Sequence, residues 1–280
     1  MKNIKLICSD VDGTLVPDGT SQLNTELYDV ILRLKEKGIH FAAASGRQVI
    51  SLEKLFAPIR DQIFYLAENG AYIGCYGREL FTRPMDGQDI KGMIRDIHEH
   101  MPECDIMLSG PRKAYTDSKN PVFLKFLLEG YRYALDEVET LQTLEGSFIK
   151  LAVYRENIPS EYLEFLRERW GAKYKIVTSG DMWIDILDIH ANKGLAVKEL
   201  QESLSVTPEE TMAFGDQQND IEMLKQAYHS YAVANALPET RAAARFITDS
   251  STDDGVLKVL KELLITLSGE GDAVCLRRGG

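Results

Sequence analysis

The stretch DVDGT, residues 10–14, sets Asp10 and Asp12 directly behind a run of apolar residues. Comparable polar groups follow: Ser45-Gly46-Arg47 after a second apolar run, Lys193 at the head of an amphipathic stretch, and Gly215-Asp216 with Asn219-Asp220 just behind. Side chains two apart on an extended segment point the same way, so Asp10 and Asp12 can face one pocket as their strand ends. Two crowded carboxylates repel, and either a proton on one or a cation between them relieves the repulsion. With Asp216 added from another strand, a cation is the better answer. Clustered carboxylate oxygens completed by water suit Mg2+ rather than a softer metal. Taken singly, each residue also has an ordinary role: acids form turns at strand ends, Ser45 suits a helix cap, Asp220 a first helical turn, and Lys193 a solvated surface. An EF-hand loop does not fit, because glycine already stands fourth and a strand precedes it.

Residues so far apart act together only if the fold brings several strand ends to one rim. Apolar strands alternate with amphipathic helices from the start, the pattern of a parallel sheet covered on both faces. A buried strand is expected over residues 4–9. Leu27, Val30, Ile31 and Leu34 then share one helix face, and Gly38 supplies a left-handed stop. IHFAAAS is read as a second strand, a helix follows Gln48, and IFYLA as a third strand completes a right-handed βαβαβ stretch. From about Pro84 to Leu187 the rhythm changes. Helical segments over 88–100 and 120–130 and strand-like SFIKLAVY and YKIVTS do not alternate strictly, which predicts an inserted α+β domain. Alternation resumes to residue 266. The expected fold is therefore α/β: a doubly wound, mostly parallel, Rossmann-like core over 1–83 and 188–266, an inserted domain over 84–187, and a flexible Gly-rich tail, 267–280, holding Arg277-Arg278. Ligands of such sheets bind beyond the carboxyl ends of the strands, where helix N-termini present free N–H groups.

Composition narrows the partners. The 280 residues are 44% hydrophobic and 27% charged, enough for a substantial core, and the formal net charge of −11 opposes a polyanion such as DNA or RNA. The first apolar run is far shorter than the roughly 20 residues that cross a bilayer. No membrane association and a cytoplasmic location are expected. Cys8, Cys75, Cys104 and Cys275 share no metal-like or redox-like spacing. A small anion held through a metal remains the partner that the acids and the cation suit.

In order, DVDGT (10–14), ASGR (44–47), NKG (192–194) and GDQQNDIEML (215–224) resemble the four motifs of the haloacid dehalogenase superfamily. ENGAYI (68–73), VANA (233–236) and DDGV (253–256) resemble its Cof-type branch, Mg2+-dependent phosphatases with a C2B-type α+β cap between the second and third motifs. The resemblance covers the core; the cap matches only in position and size. It implies hydrolysis of a small-molecule phosphate ester, a sugar phosphate or a phosphorylated cofactor such as pyridoxal phosphate or FMN, through an aspartyl-phosphate. Asp10 is then the nucleophile and Asp12 the acid and base. Asp10, Asp216 and the Asp12 backbone carbonyl hold Mg2+, with Asp220 behind them. Ser45, Gly46 and Lys193 bind the phosphoryl oxygens, while Asn219 reaches either phosphate or the metal's surroundings. A phosphotransferase or phosphomutase using the same intermediate, or a non-catalytic phosphometabolite binder, stays open. His190 stands where the family often has a small residue, and a surface position suits it. Arg47 meets substrate, the cap or an acid. Tyr115, Trp170, Trp183, Lys150 and Arg112 are possible substrate contacts in the cap, although aromatics there also suit a core. Oligomeric state is not legible.

Overall fold

All five residues of LICSD, Leu6–Asp10 (β1), are buried, the condition of a strand covered on both faces. In the computed structural model, which describes residues 3–17, 22–130, 133–179 and 181–268, β1 pairs in parallel with β2 (His40–Ala44), and β2 with β3 (Phe64–Ala67). Helix α1 (Glu26–Glu36) joins β1 to β2 and buries the expected face of Leu27, Val30, Ile31 and Leu34. Gly38 follows it at φ +81°, a conformation that costs glycine nothing. Helix α2 (Val49–Leu55) joins β2 to β3. Strands β4 (Tyr72–Cys75) and β5 (Arg78–Thr82) then extend the sheet antiparallel, an edge that strand–helix alternation does not announce.

A second sheet holds β6 (Asp105–Ser109), β7 (Ala114–Thr116), β8 (Leu135–Glu137), β9 (Lys150–Tyr154), β10 (Tyr174–Ser179) and β11 (Trp183–Asp188) in the order β10-β11-β9-β6-β7-β8. Its pairs are antiparallel except β7 with β8. On one face Ile106, Leu108, Leu151, Val153, Ile184 and Ile186 pack against α3 (Gly87–His100). Alternation sends Met107, Ala152 and Trp183 to the other face, where they meet Phe123 of α4 (Pro121–Lys125). The helix expected over 120–130 is thus α for five residues and continues as a π turn over Phe126–Gly130. Helix α5 (Ser160–Trp170) adds Leu166 to the first face.

The first sheet is completed from the far end of the chain. Helix α6 (Lys193–Leu204), β12 (Thr211–Gly215), α7 (Ile221–Lys225), β13 (His229–Val233), α8 (Pro238–Ala243), β14 (Phe246–Thr248) and α9 (Gly255–Ser268) follow, and β12 pairs in parallel with β1. The final order is β14-β13-β12-β1-β2-β3-β4-β5. Leu6 and Cys8 pack with Ala196, Leu200 and Leu224 on one face, Ile7 with Leu34, Leu52 and Leu260 on the other. This is the doubly wound α/β architecture. Helix α9 reaches Ser268, and the remainder of the expected tail, with Cys275 and Arg277-Arg278, lies outside the described residues. Among the described residues no helix is long and apolar enough to cross a membrane.

Candidate active site

Asp10 is the last residue of β1, and β12 on one side and β2 on the other deliver Asp216 and Ser45 one residue beyond their own ends. Lys193, the first residue of α6, reaches into this rim: its Nζ lies 2.5 Å from Asp10 Oδ1 and 2.6 Å from Asp220 Oδ1. Asp220 is fully committed, since its Oδ2 accepts the backbone N–H groups of Asp216 and Gln217, each at 3.0 Å. Asp216 is oriented by Thr14, whose hydroxyl donates to Oδ1 at 2.7 Å, and by the Gln217 amide, which donates to Oδ2 at 2.8 Å. Asp10 Oδ2, by contrast, is buried without a hydrogen-bond partner. Ligand atoms of Asp10, Asp216 and Asp220 all lie within 4.8 Å of one another.

The turn after β1 makes this approach possible. Gly13 sits at φ +82°, and a Cβ there would stand 2.4 Å from Asp216 Oδ2. Gly13→Ala is therefore expected to destabilise the chain by about 1–3 kcal/mol through backbone strain and displacement of Asp216. Chemical denaturation reads this, and an unchanged midpoint would mean that the turn relaxes freely.

Three carboxylates face one ammonium here. Burial, and then the neighbouring Asp220 charge, hold the Asp10 carboxyl well above its ordinary value despite Lys193. Burial also raises Asp216, against the Thr14 hydroxyl that favours its ionised form. For Lys193 burial acts downward, but the Asp10 and Asp220 carboxylates outweigh it and hold the ammonium above the usual lysine range.

Asp12 is placed differently. Its carboxylate is exposed and paired with Arg47, which donates from Nε at 2.9 Å and from Nη2. Ser45 Oγ lies 3.4 Å from Asp12 Oδ2 and accepts the Arg47 backbone N–H at 3.1 Å. The two acids of DVDGT thus occupy separate settings, one deep beside Lys193 and one at the opening with Arg47. The turn Glu68-Asn69-Gly70 folds over this second loop. The Glu68 N–H donates to the Arg47 carbonyl and the Asn69 N–H to the Ser45 carbonyl, both at 3.0 Å. Asn69 Oδ1 accepts from Asn219 Nδ2 at 3.0 Å, so Asn219 stands on the wall rather than in the acid cluster.

Above the loops lies a cavity of about 310 Å3. Asp12, Gly46, Arg47 and Asn219 form its lower part, and Lys150, Trp183 and Asp185 of the second sheet its roof. Lys150 is buried and ion-paired with Glu68, with Asp185 at 3.9 Å. Of the cap residues picked from sequence, Trp183 and Lys150 face the cavity. Tyr115 and Trp170, both partly buried, pack against the core on the second sheet's helical face, Arg112 pairs with Glu53, and His190 is exposed. Gln48, Asn69 and Asp185 were not singled out from sequence. The only signals for them were the position of Gln48 after ASGR and of Asn69 inside ENGAYI.

The sequence profile of haloacid dehalogenase-like hydrolases matches residues 7–260. A 5-amino-6-(5-phospho-D-ribitylamino)uracil phosphatase, YbjI of Escherichia coli (strain K12), is 33% identical over 267 residues, covering 94% of this chain and 97% of that protein. An HMP-PP phosphatase of Escherichia coli O6:H1 is 25% identical over 241 residues, covering 85% and 87% respectively. A crystal structure from Eubacterium rectale superposes with a TM-score of 0.88 at 35% identity, covering 93% of this chain and 99% of that one.

Proposed function

The chain belongs to the haloacid dehalogenase-like hydrolases and, like its Cof-type relatives, is a phosphatase; on that premise we propose that it hydrolyses small-molecule phosphate monoesters by way of a phosphoryl group carried on Asp10. The observation that carries this reading is Asp10 itself. One of its carboxylate oxygens is held by Lys193, while the other is buried and unpartnered, an expensive arrangement unless a cation or a substrate meets it.

The donor set fits a hard divalent cation. Asp10 and Asp216 offer adjacent carboxylate oxygens, and Asp220, with both oxygens already bonded, holds Lys193 and the Asp216 loop in place from behind. Asp10, Asp216 and the Asp12 backbone carbonyl would hold Mg2+, which supplies neutralisation of the phosphoryl charge when bound. The Asp10 carboxylate attacks phosphorus, the ester P–O bond breaks, and the alcohol leaves with a proton from Asp12. Water then attacks phosphorus, Asp12 takes its proton, and inorganic phosphate departs as Asp10 is restored. Lys193 Nζ, Ser45 Oγ and the Gly46 N–H are donors aimed at the phosphoryl oxygens, and they need no rearrangement at the moment of reaction. Arg47 keeps the Asp12 carboxylate at the mouth of the cavity, where a leaving group would lie. In this reading residues 84–187 are the cap over a core of 1–83 and 188–266, and Asn219 on the cavity wall is within the reach of substrate. The substrate in the E. coli relative's name carries its phosphate on a ribityl group, and a phosphorylated polyol, sugar or cofactor is the class we assign here.

Phosphate release by the purified chain with Mg2+, across a panel of metabolite phosphates, tests this. Release from one or more members is expected, and ligand affinity with no release from any would overturn the reading. Asp12→Ala should lower kcat/KM by about 10^2- to 10^4-fold for alkyl phosphates. The loss should shrink for esters with acidic leaving groups, such as 4-nitrophenyl phosphate, which need no proton. Equal losses on both would remove Asp12 from the acid role.

A further inference from the structure

Gln48 follows the Ser45-Gly46-Arg47 loop and stands at the N-cap of α2, with extended backbone (φ −64°, ψ 144°), yet its side chain does not cap that helix. It crosses to the second sheet's side of the cavity instead. Its Oε1 accepts the backbone N–H of Ala134 at 3.2 Å. A backbone N–H can only donate, so the atom facing Ala134 is the oxygen and the amide nitrogen points the other way. That Nε2 is buried and has no hydrogen-bond partner, in a residue with no exposed surface, and Gln48 lines the same cavity as Asp12, Gly46 and Arg47. An amide donor buried in this way costs free energy unless something polar arrives to meet it.

The surroundings say what should arrive. The cations of this cavity are already matched: Arg47 with Asp12, and Lys150 with Glu68. No charge is left over there for a second phosphate or a carboxylate, whereas a neutral oxygen needs only a donor. Resting on the phosphatase reading above, we infer that Gln48 is a specificity-determining residue: its Nε2 donates to a hydroxyl or carbonyl oxygen on the uncharged alcohol portion of the substrate. The same side chain holds Ala134 through its other end, so recognition of the leaving group and seating of the second sheet share one amide.

The test compares D-ribitol 5-phosphate and D-glucose 6-phosphate, which carry such oxygens, with phenyl phosphate, whose leaving group has none beyond the ester. Gln48→Met removes both functions of the amide. Gln48→Glu keeps an acceptor for the Ala134 N–H and loses the donor. In both variants kcat/KM for at least one hydroxyl-bearing ester should fall about 5- to 10-fold further than for phenyl phosphate, chiefly through KM. Equal losses on all three esters would assign Gln48 to seating the second sheet alone and overturn the inference, as would no loss. A chain that hydrolyses none of them, nor any member of the metabolite panel above, would sink the hydrolysis reading instead. Calorimetric binding of the same esters without divalent cation therefore runs in parallel. There, a preferential weakening of the hydroxyl-bearing esters in both variants upholds the role of Gln48, and its absence overturns it.

Discussion

Asp10→Asn is expected to abolish phosphate release, by at least about 10^4-fold in kcat, while leaving the chain as stable as before or more so. An amide cannot form the acyl phosphate, and the donors that remain act on a reaction without its nucleophile. Stability should not fall, because three carboxylates crowd together and Lys193 pairs with only two of them, Asp10 and Asp220. Removing one negative charge relieves repulsion, and Lys193 keeps its bond to Asp220. Thermal unfolding without divalent cation should place the variant at or above the unaltered chain. Added Mg2+ should raise the midpoint of the unaltered chain, as any ligand of the native state does, and raise the variant's less. Retained Mg2+-dependent turnover would rule out Asp10 as nucleophile.

Lys193→Met has the opposite signature in stability. Lys193 is 1% exposed, and methionine can fill the space of its stem while leaving Asp10 and Asp220 without their shared cation. Breaking a buried pair in this way costs about 3–5 kcal/mol. Turnover should fall about 10^2- to 10^3-fold, the usual loss when one donor to the reacting charge is removed. The pH dependence follows from the directions of the shifts. Asp10 is already held above its ordinary 3.8 by burial, and losing Lys193 raises it further. The folded variant then binds more protons than the unfolded chain above that ordinary value, so its stability falls as pH rises. In the unaltered chain Lys193 is held above 10.5, so its contribution is complete below that pH and is lost only beyond it. Urea denaturation without divalent cation should show a larger deficit at pH 8 than at pH 5.5, and equal deficits would overturn this account.

The parallel sheet was legible because its strands are buried on both faces and its helices on one, a difference that hydrophobic period records directly. Leu27, Val30, Ile31 and Leu34 are an example. Asp10, Ser45, Lys193 and Asp216 could be placed together from sequence because strand ends and helix N-termini of such a sheet share a rim. The antiparallel edge was hidden, since YIGC and RELFT lie too close together for a helix between them and one of the two is largely exposed. The roof of the cavity was less legible for a different reason. Glu68 and Lys150 are charged residues whose burial depends on each other's approach, with Asp185 beside Lys150. Trp183 and Trp170 cannot be told apart by type: one faces the cavity and the other, at the end of α5, packs against α3 on the opposite face of the sheet. The pairing of Arg47 with Asp12 likewise joins the loops after two different strands and follows no local pattern.

The strand that carries Asp10 has one parallel neighbour from residues 40–44 and the other from residues 211–215. About 170 residues, including the whole second sheet, separate the two. During synthesis at about 5–20 residues per second, one edge of β1 therefore waits some 10–30 s, at least, for its partner. Through that interval its backbone N–H and C=O groups form an unpaired edge of the kind that invites pairing with another chain. The strand that carries Asp10 leaves the ribosome before every other strand of its sheet and is among the last to be enclosed.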